Sequence, residues 1–128
     1  MSRCIEVAKK GRGRTYPNPC VGCIIVNKNA IISEAFSSKC GGNHAEVNAI
    51  NKVKNKDLLK TSTLYVTLEP CSHYGKTPPC CNTISINKIP NVVIGTLDNS
   101  SKVNGKGIEF LKRNFHVQSK LKIQKYQT

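Results

Sequence analysis

Most of the fold and chemistry of this chain can be predicted from one stretch, Leu68-Glu69-Pro70-Cys71-Ser72-His73-Tyr74-Gly75-Lys76-Thr77-Pro78-Pro79-Cys80. Two cysteines flank a loop that contains a histidine, a lysine, a glycine and two prolines, a composition that suits a shaped pocket better than a core. The apolar run from Thr63 to Leu68 predicts a buried strand. This strand delivers Cys71 at its carboxyl end, where open α/β sheets place ligands.

A second motif, His44-Ala45-Glu46, opens a helix that we predict from His44 to Asn55. Cys80 opens the next predicted helix, and helix N-termini gather at the same sheet edge as the carboxyl ends of parallel strands. The sequence therefore predicts one zinc ion held by His44, Cys71 and Cys80. Three protein ligands are the number that a catalytic zinc site takes while it keeps its fourth position for water.

Glu46 stands two residues after the histidine, close to the predicted metal without having to bind it. Zinc deaminases follow the pattern H-x-E and then P-C-x-x-C, with the glutamate as general acid and base. In this chain the second half is longer, because eight residues separate Cys71 from Cys80. We therefore predict that Glu46 is the catalytic residue.

The order of predicted elements is α-β-β-α-β-α-β-α-β, in a single domain over residues 1–128. The first helix runs from Ser2, as N-cap, to Lys10. The runs from Cys20 to Val26 and from Ala30 to Phe36 predict an antiparallel hairpin. Helices separate the later strands, so we expect those strands to pair in parallel and the sheet to be mixed and five-stranded.

The charge balance is strongly basic, with 20 Lys and Arg, 7 Asp and Glu and a formal net charge of +13. Such a balance favours polyanions, either nucleic acid or a phosphorylated small molecule. The cations are spread along the chain, however, and are interpreted as solvated lysines that assist phosphate attraction without identifying a partner.

Several features predict a soluble cytoplasmic protein. No stretch approaches the roughly 20 apolar residues of a membrane span. Basic residues interrupt any apolar run near the N-terminus, so no signal peptide is expected. The seven cysteines are interpreted as reduced thiols or metal ligands. The pair Cys20-x-x-Cys23 lies in an apolar strand and is interpreted as packing, and Gly105-Lys106-Gly107 as a turn into a helix.

The chain resembles a known family over most of its length, from Ala8 to about Val117. Three motifs carry the resemblance: Pro17-Asn18-Pro19-Cys20-Val21-Gly22-Cys23, His44-Ala45-Glu46, and the long Thr63-Leu64-Tyr65-Val66-Thr67-Leu68-Glu69-Pro70-Cys71-Ser72-His73 with Gly75-Lys76-Thr77-Pro78-Pro79-Cys80. They are similar to the deaminase domain of the bifunctional riboflavin biosynthesis proteins, the diaminohydroxyphosphoribosylaminopyrimidine deaminases. The long motif separates these enzymes from the cytidine and tRNA adenosine deaminases.

The resemblance implies a three-layer α/β/α cytidine deaminase-like fold and zinc-dependent deamination of a phosphorylated pyrimidine in riboflavin biosynthesis. It also implies that Asn18, His73 and Lys76 contact the substrate. Ser37 is a further predicted contact, although it stands where the family usually has histidine. The segment Asp98-Asn99-Ser100-Ser101 replaces the family's D-P-N-P and is expected to alter a turn.

The match does not include the family's reductase domain, so a separate reductase protein is expected. We also expect a homo-oligomer of undefined size, with no nucleic-acid partner and no membrane. One alternative is a nucleic-acid base deaminase acting on tRNA, which the basic charge favours and the long cysteine spacing disfavours. The other is a non-catalytic zinc-stabilised binding module, in which Glu46 would be dispensable.

Overall fold

A mixed sheet organises the chain in the computed structural model, which describes residues 1–13, 20–39, 42–72, 78–97, 105–114 and 120–123. Its strands are β1 (Gly22–Asn27), β2 (Ala30–Phe36), β3 (Thr63–Leu68), β4 (Asn91–Thr96) and β5 (Lys120–Ile123). The order across the sheet is β2-β1-β3-β4-β5. Strand β1 is antiparallel to β2 and β3, and the pairs β3-β4 and β4-β5 are parallel. The predicted antiparallel hairpin and parallel later strands are confirmed.

A two-residue turn closes the hairpin between β1 and β2. Lys28 and Asn29 have φ values of 50° and 65°. Two central residues with positive φ are the signature of the type I′ turn, whose twist matches that of the strands that it joins. The register shifts by one residue beside Ile25 and Val26, which is a β-bulge.

Helices cover both faces of the sheet. They are α1 (Ser2–Lys9), α2 (Ala45–Lys52), α3 (Cys80–Ile86) and α4 (Lys106–Asn114), with a 3₁₀ helix over Lys56–Thr61. Apolar side chains of α2, α3 and α4 share the larger core cluster with one face of the sheet, and α1 packs with the opposite face. The predicted three-layer α/β/α arrangement is therefore confirmed.

Alternation along the strands assigns side chains to the two layers. In β1, Cys23 and Ile25 join the larger cluster, whereas Ile24 packs with α1. Gly22 makes the close approach of α1 possible, because a Cβ there would lie 2.2 Å from the carbonyl oxygen of Cys4. The N-terminal helix thus packs closely against β1.

Helix ends differ from the predictions more than strands do. Met1, not Ser2, is the N-cap of α1, so that prediction is wrong. Helix α2 ends at Lys52 because Val53 has extended backbone, with ψ 115°. The 3₁₀ helix that follows was not predicted, and β1 begins at Gly22 rather than Cys20.

Among the described residues, no helix has the length and apolar character that a membrane span requires.

Candidate metal centre

His44 lies immediately before the first residue of α2 and is its N-cap. Its backbone is extended, with φ −71° and ψ 165°, and its side chain makes no capping hydrogen bond to the helix. The ring instead faces two sulphurs, because Nδ1 lies 3.2 Å from Cys80 Sγ and 3.6 Å from Cys71 Sγ. The histidine is therefore oriented toward the two cysteines and not toward its own helix.

Cys71 and Cys80 meet where the end of β3 approaches the start of α3. The backbone N–H of Cys80 donates to Cys71 Sγ at 3.2 Å, and the N–H of Cys81 donates to the carbonyl oxygen of Cys71 at 3.1 Å. Two N–H groups at the start of a helix thus hold the Cys71 side chain and backbone. This environment favours a thiolate, since the N-terminus of a helix carries partial positive charge.

The three side chains fit a zinc ion. Their ligand atoms all lie within 4.8 Å of one another. Zinc–sulphur bonds of about 2.3 Å and zinc–nitrogen bonds of about 2.0–2.1 Å in a tetrahedron place ligand atoms roughly 3.5–3.8 Å apart. One imidazole and two thiols form a borderline-soft donor set of the kind that zinc prefers. The predicted grouping of His44, Cys71 and Cys80 is present in the structure.

Hydrogen bonding shifts the pKa values of Cys71 and Cys80 in opposite directions. The bond between the thiols lowers the pKa of Cys71 to about 4 and raises the pKa of Cys80. A hydrogen bond with Cys71 also raises the pKa of His44. The lowered pKa of Cys71 favours its thiolate, which is the form that binds a metal.

Glu46 is buried beside this group, with 3% of its surface exposed. It lies in the first turn of α2, two residues after His44. Burial raises the pKa of Glu46 to about 7, which outweighs the opposing influence of a hydrogen bond with the Cys80 side chain. A carboxyl group with such a pKa can both accept and release a proton near neutrality.

The predicted substrate contacts have different outcomes. Asn18, His73 and Lys76 lie outside the described residues. Ser37 is described, and its Oγ accepts a hydrogen bond from the Val21 N–H at 3.2 Å and donates to the Val21 carbonyl oxygen at 3.4 Å. These contacts close the open end of the β1–β2 hairpin, and the substrate contact of Ser37 stays a prediction.

Most of the remaining described cysteines are core residues. Cys4, Cys23 and Cys81 are fully buried, and burial raises the pKa of each thiol. Within the described ranges, the His44–Cys71–Cys80 group is the one cluster of three or more side chains that could hold a metal ion. The interpretation of Cys23 as packing is confirmed, and Cys40 lies outside the described residues.

Sequence reasoning missed the role of Glu69. Its side chain accepts hydrogen bonds from three backbone N–H groups, those of Gly105, Gly107 and Ile108, at 2.9, 2.8 and 3.3 Å. An acidic residue between an apolar strand and Pro-Cys was a local signal, but nothing in the sequence identified partners 36 to 39 residues away. The glycines shape the turn into α4 as predicted, since Gly105 has φ +88°.

The comparison with known families agrees with this geometry. The family model described as the cytidine and deoxycytidylate deaminase zinc-binding region matches residues 1–96. The chain belongs to this family. Zinc is accordingly the metal that the His44–Cys71–Cys80 group is positioned to hold.

Individual proteins similar to this chain have more specific names than the cytidine and deoxycytidylate deaminase family. A diaminohydroxyphosphoribosylamino-pyrimidine deaminase of Buchnera aphidicola subsp. Schizaphis graminum is 50% identical over 113 residues, which cover 88% of this chain and 76% of that protein. A riboflavin biosynthesis protein RibD of Buchnera aphidicola subsp. Baizongia pistaciae is 49% identical over 114 residues, but they cover only 30% of its length.

A solved structure supports the fold. The diaminohydroxyphosphoribosylaminopyrimidine deaminase/5-amino-6-(5-phosphoribosylamino)uracil reductase of Thermotoga maritima matches with a TM-score of 0.84 and 45% identity. The match covers 98% of this chain and 34% of that one. The predicted cytidine deaminase-like fold is therefore confirmed.

Proposed function

We propose that this protein hydrolytically deaminates 2,5-diamino-6-(5-phosphoribosylamino)pyrimidin-4(3H)-one, giving 5-amino-6-(5-phosphoribosylamino)uracil and ammonia in riboflavin biosynthesis. The observation that carries the proposal is the buried Glu46 beside the His44–Cys71–Cys80 group. The choice of substrate rests on the 50% identity to the Buchnera deaminase.

His44, Cys71 and Cys80 would hold the zinc ion. When bound, zinc supplies a Lewis acid that makes water a nucleophile near neutral pH. The two cysteines also fix the distance between the end of β3 and the start of α3, because the Cys80 N–H donates to Cys71 Sγ. Residues 72–79 stand between these two elements in the sequence and include the predicted contacts His73 and Lys76.

Glu46 moves the protons. It takes one proton from the attacking water and donates it to the ring nitrogen. It then takes the second proton from the hydroxyl on the tetrahedral carbon and gives it to the amine, whose bond to that carbon breaks as ammonia leaves and the carbonyl forms. Water supplies the oxygen of the new carbonyl group, so no oxidant or reductant is needed. Glu46 is 3% exposed, which limits its contact with bulk water.

Substrate recognition is proposed for four side chains in two groups. In the sequence, Asn18 precedes β1 and Ser37 follows β2, and His73 and Lys76 stand between the two cysteines. Amide, hydroxyl, imidazole and ammonium groups suit a pyrimidine carbonyl, ribose hydroxyls and a phosphate. The excess of positive charge, 20 Lys and Arg against 7 Asp and Glu, assists attraction of that phosphate.

The same charge favours a second candidate, a deaminase of bases in tRNA. Ammonia release by the zinc-loaded protein should be measured with the phosphoribosylated pyrimidine and with a tRNA anticodon stem. We expect release from the pyrimidine alone. Release from the tRNA alone would replace the proposal, and zinc binding without release from either substrate would favour a binding module.

Four further properties of this protein stay predictions. They are a single domain over residues 1–128, a homo-oligomer, a cytoplasmic location and a separate reductase protein. Size-exclusion chromatography with light scattering would measure the oligomeric state. Incubation of the 128-residue chain with substrate and NADPH should accumulate the deaminated product without loss of NADPH absorbance.

A further inference from the structure

Glu69 joins two parts of the molecule that are distant in sequence. It follows β3 directly and is 4% exposed. Its Oε1 accepts from the Gly105 N–H at 2.9 Å, and its Oε2 accepts from Gly107 at 2.8 Å and Ile108 at 3.3 Å. These N–H groups lie at the start of α4, where no intrahelical acceptor exists for them. The carboxylate therefore ties the end of β3 to the first turn of α4.

The contact between these segments is tight. A Cβ at Gly107 would lie 2.1 Å from the carbonyl oxygen of Pro70, so no other residue type fits without a shift. Cys81 Sγ lies 3.4 Å from that same oxygen and 3.5 Å from the carbonyl oxygen of Gly107. The Glu69-Pro70 segment is thus held between α4 and the first turn of α3, with little freedom to move.

Cys71 directly follows this clamped segment. On its other side, the N–H groups of Cys80 and Cys81 hold its sulphur and its carbonyl oxygen. We propose that Glu69 is a positioning residue for the metal centre: by anchoring the backbone before Cys71 to α4, it holds the thiolate where His44 and Cys80 can share a zinc ion. The proposal rests on the metal site of the proposed function, but not on its substrate.

The anchor requires a carboxylate specifically. Three N–H donors converge on two acceptor oxygens, and a negative charge at the start of a helix is favourable. Glutamine would replace one oxygen with an NH₂ group, and a donor would then face a donor. Glu69→Gln keeps the shape of the side chain but cannot satisfy all three N–H groups, so it tests the anchor with little change in volume.

The experiment measures zinc affinity without substrate. Wild type, Glu69→Gln and the control Glu109→Gln are compared in competition with a chromophoric zinc chelator, at a temperature where circular dichroism shows all three folded. Glu109 is an exposed carboxylate in the first turn of the same helix. We expect zinc affinity to fall about 10–100-fold in Glu69→Gln, as for other groups that orient metal ligands, and to stay unchanged in Glu109→Gln.

If Glu69 only stabilises the fold, the zinc-affinity experiment gives a different result. Loss of a helix anchor alone would lower the melting temperatures of metal-free and zinc-loaded protein equally and leave the zinc dissociation constant unchanged, which would overturn the proposal. If Glu69→Gln does not fold, Glu69→Asp keeps the charge but shortens the reach. Weaker Co²⁺ binding, followed by thiolate charge-transfer absorption, is then expected, and wild-type affinity would overturn the proposal.

Failure of the proposed function has a separate signature. A wild-type protein that binds zinc but releases no ammonia from the pyrimidine would contradict the function and leave the affinity difference intact. Equal zinc affinities in an active enzyme would contradict the positioning role alone.

Discussion

A buried carboxyl group lies at the start of α2 and another at the start of α4, and the two groups have different surroundings. Glu46 is 3% exposed and Glu69 is 4% exposed. Glu69 reaches α4 from another element, and its oxygens accept three backbone N–H groups. Glu46 belongs to the helix that it opens and lies near the Cys80 thiol, and burial raises its pKa to about 7.

This difference separates a carboxylate that anchors backbone from a carboxyl group that can transfer protons. Hydrogen bonds from fixed backbone donors immobilise a carboxylate, and its removal destabilises the protein because the donors lose their acceptor. A carboxyl whose pKa lies near the working pH can change its protonation during a reaction. Burial alone therefore does not identify a catalytic acid, and the surrounding donors decide its role.

The largest expected effect concerns the predicted metal ligands. Cys80→Ser removes a thiolate from the His44–Cys71–Cys80 group, so zinc content and ammonia release should both be lost. Metal analysis of purified protein and the ammonia assay measure these two results. Cys20→Ser is the control and should keep one zinc per chain. Zinc retained in Cys80→Ser, or lost in Cys20→Ser, would move the metal to other cysteines.

The next largest effect is expected at Glu46. Glu46→Gln preserves size and should leave zinc bound, but it removes the proton carrier, so kcat should fall by about 10²–10⁴-fold. Steady-state ammonia release by zinc-saturated enzyme gives the value. Glu69→Gln provides the reciprocal case, in which zinc affinity falls and kcat at saturating zinc changes little. Near-normal turnover in zinc-loaded Glu46→Gln would refute the catalytic role and support the binding-module alternative.

The features of this molecule that could be predicted from the sequence are those set by patterns of residues close together in the chain. Strands Ala30–Phe36 and Thr63–Leu68 were predicted to the residue, because each is an apolar run between turn-forming residues. The metal group was also predictable, since its residues stand at the ends of elements that meet at one sheet edge.

Long-range contacts and local caps were not predictable. The anchor of Glu69 depends on α4, which is distant in the chain. The 3₁₀ helix Lys56–Thr61 has no apolar period, and its start depends on Asn55 Oδ1, which accepts from the Asp57 N–H. The end of α2 at Lys52 is likewise not contained in a helical pattern: Val53 has extended backbone, and Lys56 Nζ donates to the carbonyl oxygens of Ile50 and Val53.

A smaller effect is expected where Glu69 meets α4. In Gly107→Ala the new Cβ would lie 2.1 Å from the Pro70 carbonyl oxygen. Backbone on both sides must shift, so the free energy of unfolding should fall by about 1–3 kcal/mol, as in other overpacked sites. Urea denaturation measures it. Lys106→Ala, at an exposed position one residue earlier, should change it by less than about 0.5 kcal/mol. Equal losses would show that the close approach is not constraining.

The smallest effect is expected at Lys56, which contacts the C-terminal end of α2. Lys56 Nζ donates to the carbonyl oxygens of Ile50, at 2.7 Å, and Val53, so its charge lies at the negative C-terminal end of the helix. Lys56→Met keeps most of the side chain's length and removes the charge. The free energy of unfolding should fall by about 0.3–1 kcal/mol.

Urea denaturation measures that change, and Lys54→Met, at an exposed position two residues earlier, is the matched control. Zinc affinity and kcat should not change in Lys56→Met, because the catalytic group and the metal ligand lie at the other end of the helix. A loss of zinc affinity comparable to that expected for Glu69→Gln would mean that the C-terminal end also sets the position of His44. The contrast between a chemical and a structural end of α2 would then be wrong. Equal small losses in both lysine variants would instead point to general surface charge and not to the contact with the helix end.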